Sequence, residues 1–426
     1  MNRLLLLFIF IACNARISIG QNPDWMVFNT SNSGLPDNRV RSIAIDQYNH
    51  KWIGTVYGGV AQFDNNHWTI YNQSNSGLFA HDVNAALVDP YDNKWFGSGW
   101  TGHISRFNDN DWMVFDSSNT MGIINDYFQT TDFLYNNGKL FIATFNFGLV
   151  IYDGINWTDS TVFNSSIPGM AIWDLASDPN GNIWLAQADI GLTKFDGTSW
   201  INFNTSNSML PSNEITSVAT ESNGVVWATT RYNGLVKIDG NAWTVYTTSN
   251  SGLPSNSFNK IMIDNSNVKW IATGNGGTGA GSGLVKYNDL TWTVYDTSNS
   301  AIPSNDVISI LIDPFDNKWI GTQNDGLAVF REGGVILSGN EILQNHSYCH
   351  ISPNPFKHHA IIQFYNPDRK KYSLSILGTT GQTVQQYLPI SEDNFRVEKG
   401  NLNSGLYFYR LETSDGPAMT GKLIID

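Results

Sequence analysis

The 426-residue chain has little charge, two cysteines and, after residue 20, no long apolar run. Each shortage excludes something. Charged residues make up 14% of the chain, with 24 Lys and Arg against 37 Asp and Glu, a formal net charge of −13. Between Gln21 and Ser347 the imbalance sharpens to 14 basic against 30 acidic residues. Such a surface repels phosphate backbones and anionic membranes, which argues against a nucleic-acid partner. Cys13 and Cys349 are the only thiols. Once a leader carrying Cys13 is removed, one thiol remains and no internal disulfide can brace the fold. No stretch beyond residue 20 offers the roughly 20 apolar residues of a membrane-spanning helix, so no transmembrane segment is expected in the mature chain. Apolar residues do not recur with the 3.6-residue period of an amphipathic helix. A P-loop, a nucleophile elbow and an HExxH motif are absent too.

What is present begins with a leader. Arg3, an apolar run over 4–12 and the small residues Ser18 and Gly20 describe a secretory signal peptide, residues 1–20, cut before Gln21. A lipid-anchored reading through Cys13 has only Phe10-Ile11-Ala12 before it, a poor match to the required signal. Beyond the leader the text repeats. Its lead tryptophan falls at Trp25, Trp68, Trp112, Trp157, Trp200, Trp243 and Trp292, at spacings of 43, 44, 45, 43, 43 and 49 residues. Each unit holds four strand-length apolar runs separated by Asn, Ser, Asp, Gly and Pro. One small sheet cannot bury its own faces, so four strands per forty-odd residues point to stacked propeller blades, and seven units to a closed ring. The chain starts on a WxxF strand at Trp25, which is expected to complete the last blade and remove the free sheet edges. Val335–Leu337 competes for the same place. The third unit departs most, with Phe141 where the other units have tryptophan.

Residues 52–64 (WIGTVYGGVAQFD) and 319–330 (WIGTQNDGLAVF) resemble the two-component regulator propeller repeat, over roughly residues 25–330. The resemblance implies a seven-bladed propeller, often the extracellular sensing half of a histidine kinase. No kinase core or DNA-binding domain follows here, so the signalling half is not carried over. Residues 331–350 read as a linker. From 351 the text changes to ISPNPF, alternating strands, GLYFYRL at 405–411 and TGKLIID at 420–426. This resembles the type A sorting domain of the type IX secretion system. On that resemblance Pro353, Asn354, Pro355, Phe356, Gly381, Gly405, Tyr407, Gly421 and Lys422 carry the sorting signal, and the partner is the type IX export machinery. The expected architecture is all-β: a seven-bladed β-propeller over 21–330, then a small β-sandwich sorting domain over 351–426, secreted through the outer membrane and either attached to the cell surface or released.

Function is less legible. The loops between second and third strands vary while their flanking strands stay fixed, and propeller topology places them on one face. They offer Tyr57, Trp100, Phe145, Phe147, Asp189, Arg231, Tyr232, Asn324 and Asp325, beside a glycine-rich loop at 274–282. Aromatic faces stack on the C–H faces of sugars while amides and carboxylates serve the hydroxyls. The expected ligand is therefore a glycan or another small molecule. The plainer reading is that these residues pack blade on blade. Trp52, Trp95, Trp184, Trp227, Trp270 and Trp319 recur at one strand position and read as inter-blade core. The DPxDN turns at 89–93 and 313–317 could suggest calcium, but Pro fixes φ and Asp and Asn bond nearby amides in plain turns. The run SDPNGNIW at 177–184 lacks the key acid of a sialidase Asp-box, having Pro179 there. His50, His67, His81 and His103 lack metal-ligand spacing. No cofactor, metal or catalytic residue is expected. The rivals are a propeller lyase or glycoside hydrolase using Asp189 or Asp325, and a protein-binding adhesin or scaffold.

Overall fold

The computed structural model describes residues 23–274, 281–337, 349–352, 354–364, 369–391, 394–413 and 419–425. The signal-peptide reading, Pro353, most of the glycine-rich loop and most of the linker lie outside these residues. The chain divides into two compact units, Met1–Val335 and Ile336–Asp426.

The first unit is seven four-stranded antiparallel sheets, the blades of a propeller. Blades 1 to 7 have as innermost strands Val40–Ile45, Ala85–Val88, Thr130–Asn136, Ile172–Ser177, Ile215–Thr220, Phe258–Ile263 and Val307–Ile312. Each innermost strand packs on the next, and Val307–Ile312 packs on Val40–Ile45, so the ring closes. Closure comes from Trp25–Phe28, which pairs antiparallel with Leu327–Phe330 in the register Trp25↔Phe330. The competing segment runs alongside instead: Arg331 N–H donates to Asp24 C=O and Val335 N–H to Pro23 C=O. The WxxF strand wins because its tryptophan stacks on Phe330, centroids 4.4 Å apart.

Blade cohesion rests on one repeated contact. In six blades the acid that follows the innermost strand, buried in all but blade 6, accepts the indole N–H of the tryptophan six residues on. The six bonds run from 2.7 Å (Trp227 to Glu221) to 3.2 Å (Trp184 to Asp178). The other oxygen of the acid closes the turn between them, as Asp313 does with the N–H groups of Phe315 and Asn317. Four blades add a buried lysine that lies over the preceding blade's tryptophan: Lys318 4.5 Å from Trp270, Lys51 4.7 Å from Trp319, Lys269 4.9 Å from Trp227 and Lys94 5.5 Å from Trp52. Lys269 also sits 2.9 Å from Glu221. Burial brings the Lys51 ammonium down to about 8, against the pull of Asp313 and Asp46. Blade 3 loses the acid, the indole and the lysine together, with Asn136, Phe141 and Leu140 in their places. Without an indole N–H, a buried acid there would be left unpaired.

The TSNSGLP loops are equally structural. Asn32, Asn75, Asn119, Asn164, Asn207, Asn250 and Asn299 each donate to the carbonyl five residues back in the outer strand.

The second unit is a β-sandwich. A three-stranded sheet (Cys349–Ser352, His359–Phe364, Asn394–Glu398) and a four-stranded sheet (Thr383–Ile390, Tyr372–Leu377, Gly405–Glu412, Met419–Ile425) share one apolar core. Asn354 and Phe356 fasten the last strand. The Asn354 amide donates to Lys422 C=O and accepts from Ile424 N–H, while Phe356 N–H donates to Ile424 C=O. Gly421 faces Tyr409 across the sheet, and a Cβ there would lie 2.5 Å from the phenol ring. Gly381 and Gly405 take positive φ at turn and strand start. Tyr407 hydroxyl donates to Asn403 C=O, and Lys422 is exposed.

The ladder sets an expectation. Trp319→Phe removes the indole N–H donor to the buried Asp313 and puts a smaller ring under Lys51, and should cost about 2–4 kcal/mol. Urea unfolding of the two proteins checks this; equal midpoints would show that the ladder is not what holds blade 7 to blade 1.

Candidate functional site at the channel mouth

The site grows out of a local irregularity. In six innermost strands the pairing with the second strand slips between the first and third residues: Val40/Ser42, Thr130/Asp132, Ile172/Asp174, Ile215/Ser217, Phe258/Lys260 and Val307/Ser309. A bulge leaves its extra residue out of the ladder and re-aims the side chain. Those residues are Arg41, Thr131, Trp173, Thr216, Asn259 and Ile308, and Asn84 takes the equivalent place in blade 2. All seven line one axial cavity of about 530 Å³.

The third residues form the layer beneath and bind blade to blade. Ser42 and Ser309 hydroxyls donate to the carbonyls of Val83 and Val40 in the following blades, at 3.4 and 3.0 Å. Asp132 accepts from Leu175 N–H at 3.0 Å, Asp174 from Val218 N–H at 2.9 Å, and Ser217 from Ile261 N–H at 3.1 Å. Lys260 reaches across from blade 6 to ion-pair with Asp174, with Asp132 4.0 Å away. Desolvation, only partly opposed by Lys260 and aided by Asp174, pushes the Asp132 carboxyl up to about 8. For Asp174 burial opposes ionisation, but Lys260 and the hydrogen bonds of Asp132 and Ser217 overcome it and hold the group below the usual carboxylate range. One proton thus sits on Asp132 beside a charged Asp174.

Above this layer a second depression, about 210 Å³, shares Arg41, Asn84, Thr131 and Trp173 with the channel and adds Trp100, Phe145, Gln129 and Asp82. Trp100 rides a tight turn. Asp82, itself buried, accepts from the Ser98 hydroxyl and Gly99 N–H, and the Ser98 hydroxyl oxygen accepts Trp100 N–H at 3.1 Å. Trp100 is 55% exposed and Phe145 40%. Phe145 lies 5.0 Å from Trp173, ring to ring, so blades 2, 3 and 4 present an arc of three aromatics. Arg231 is stacked at 5.8 Å on Trp173, with Glu214 3.9 Å from it.

Of the nine loop residues singled out in the sequence, Trp100, Phe145 and Arg231 line the cavities. Tyr57 reaches the rim, 6.1 Å from Trp100, and Asn324 accepts from Arg39, whose guanidinium lies 5.9 Å from the Tyr57 ring. Phe147 turns inward onto Phe128 at 5.9 Å. Asp325 N–H closes its own turn onto Thr322. Asp189, exposed at a positive-φ turn position, and the exposed Tyr232 line neither cavity. The bulge residues were not found from sequence. Their signal is a variable position between a β-branched or aromatic residue and a small or charged one at the start of each innermost strand. Among the described residues no cluster of three His, Cys, Asp or Glu side chains is placed to hold a metal. The aspartates of the DPxDN turns are engaged in their own turns, as Asp89 is with the N–H groups of Tyr91 and Asn93 and the indole of Trp95.

The proton on Asp132 makes stability pH-dependent. Its folded pKa lies above the unfolded value near 4, so this contribution is complete below about pH 4 and is lost as pH rises through about 8. Asp174 has the opposite sign, and its contribution is lost as pH falls below the ordinary range. Relative to Asp132→Asn, the wild-type protein should lose melting temperature between pH 5 and 8. Parallel melting curves for the two proteins across that range would show that Asp132 is ionised throughout.

Residues 350–426 match the family model of the secretion system C-terminal sorting domain. No curated protein is similar enough to the chain to match it. Among solved structures, the extracellular domain of a putative hybrid two component system from B. thetaiotaomicron is similar, at 20% identity and TM-score 0.62, over 95% of this chain and 57% of that one. PorZ, a surface component of the type-IX secretion system of Porphyromonas gingivalis, has 18% identity and TM-score 0.57, over 94% of this chain and 61% of that one. The chain thus spans about three fifths of the length of either. Virginiamycin B lyase from Staphylococcus aureus has 11% identity and TM-score 0.58, over 73% of this chain and 99% of that one. At these identities the likeness is one of fold. With the sorting-domain match at its C-terminal end, the protein is a seven-bladed propeller carrying a type IX sorting domain, exported across the outer membrane to the cell surface or the extracellular space.

Proposed function

We propose that the propeller is a ligand-binding module whose site is the channel mouth, and that the ligand is a carbohydrate. The observation that carries this reading is the arc of Trp100, Phe145 and Trp173 over an axial cavity ringed by six bulge residues and Asn84. Sugars offer apolar C–H faces to such rings, and their hydroxyls suit Asn84, Gln129, Thr131, Thr216 and Asn259. The cavity volume falls within the roughly 300–1,000 Å³ of small-ligand sites. The propeller's neighbours include an extracellular domain of a two component system, which fits a role in recognising something outside the cell.

An enzymatic reading draws on the protonated Asp132 beside ionised Asp174, an acid–base set in form, and on the lyase among the neighbours. Against it, both carboxylates accept backbone N–H groups of the next blade and one is tied to Lys260, which is the work of inter-blade staples. The leader, cut before Gln21, and the 331–350 linker belong to the same proposal.

Binding of the protein without residues 1–20 to a glycan array should give a defined hit. Trp100→Ala and Trp173→Ala should each weaken it about tenfold or more, as loss of a stacking aromatic does. No glycan bound would move the function to protein partners. Export is checked separately: removing residues 422–426 deletes half of the strand that Asn354 and Phe356 fasten, and the protein should then accumulate in the periplasm.

A further inference from the structure

We propose that the ligand is an acidic saccharide, its carboxylate groups taken by Arg41 and Arg231 at the two ends of the aromatic arc. This rests on the carbohydrate reading and names the class of sugar. The propeller is strongly acidic, yet three of its five arginines between residues 21 and 347, Arg39, Arg41 and Arg231, stand at the channel mouth. Arg41 comes from blade 1 and Arg231 from blade 5, so they flank the arc that blades 2 to 4 supply. Their engagement within the protein is incomplete. Arg41 Nε is buried and has no acceptor among the described residues. Burial, and the like charge of Arg39 beside it, weaken the hold of the Arg41 guanidinium on its proton, with only Asp306 and Tyr57 opposing. The Arg231 guanidinium lies 5.8 Å from the Trp173 ring centroid, and its Nε is 3.9 Å from the Glu214 carboxylate.

The other acids nearby are already committed. Asp82 is held by Ser98 and Gly99, Asp174 by Lys260, and Asp132 carries a proton. The mouth thus gathers three guanidinium groups of an acidic propeller, beside the carboxylates of Glu214 and Asp306. Guanidinium groups bind carboxylates through two parallel N–H···O bonds, a geometry that a hydroxyl cannot match. A ring stacked on the arc with a carboxylate at each flank is a uronate-containing oligosaccharide.

The test uses the protein without residues 1–20, calorimetry, and short oligogalacturonate, oligoalginate and hyaluronan fragments, each paired with the same fragment after its carboxyls are reduced to alcohols. At least one acid form should bind about tenfold or more tightly than its reduced partner, with affinity falling as salt rises. Arg41→Gln and Arg231→Gln should each cut that preference about threefold or more, the loss falling on the acid form. Arg41→Lys, which keeps the charge but not the fork, should retain part of it, and this separates recognition from misfolding. Equal binding of acid and reduced forms would overturn the acidic class and leave the carbohydrate reading standing. Equal binding of an oligoglutamate would overturn the saccharide. Acid preference untouched by either Gln variant would overturn the site, and no binding of any fragment would remove both readings.

Discussion

The fold depends on a hydrogen bond between a buried acid and a buried indole, made six times. In six blades an Asp or Glu follows the innermost strand, and the tryptophan of the second strand donates to it. A carboxylate in that position would be costly unpaired. It is tolerated because the same group also closes the intervening turn and, for Glu221 and Asp313, meets a lysine of the next blade. One side-chain group thereby fixes strand, turn and inter-blade seam together. Blade 3 shows the logic in reverse. With Phe141 in place of the indole, the acid has become Asn136 and the lysine Leu140.

That rigid repeat frees one position. Because apolar stacking and the acid–indole bond hold the outer part of each blade, the second residue of the innermost strand is left out of the ladder and faces the axis. It is Arg, Asn, Thr, Trp, Thr, Asn and Ile around the ring. Directly beneath, Ser and Asp bond to the next blade, and Lys260 reaches across the channel to Asp174. Recognition and cohesion are therefore adjacent residues on the same strand, and the bulge separates them.

The sandwich unit follows a different rule. Its final strand contributes Leu423 and Ile425 to the core and is fastened from the entry motif by Asn354 and Phe356. The two ends of the sorting text are thus one structural feature, which accounts for a recognisable motif with its halves about 70 residues apart.

Much of this was legible in the chain. The forty-odd-residue period, the WxxF start and the PNPF and GKLII ends determine seven blades, closure by Trp25–Phe28 and a C-terminal sandwich, because stacking faces and strand-pairing edges recur locally in the text. The loop aromatics Trp100 and Phe145 were also readable, as variable residues between fixed strands. The rest was decided in three dimensions. That Phe147 turns inward, that Arg41, Trp173 and Arg231 from three blades meet at one mouth, and that Lys260 reaches Asp174 beside Asp132 depend on bulges and on distances across an axis. The strand period of two records which face a residue takes within its blade; a one-residue bulge overrides it, and nothing local in the text encodes which blades stand opposite each other.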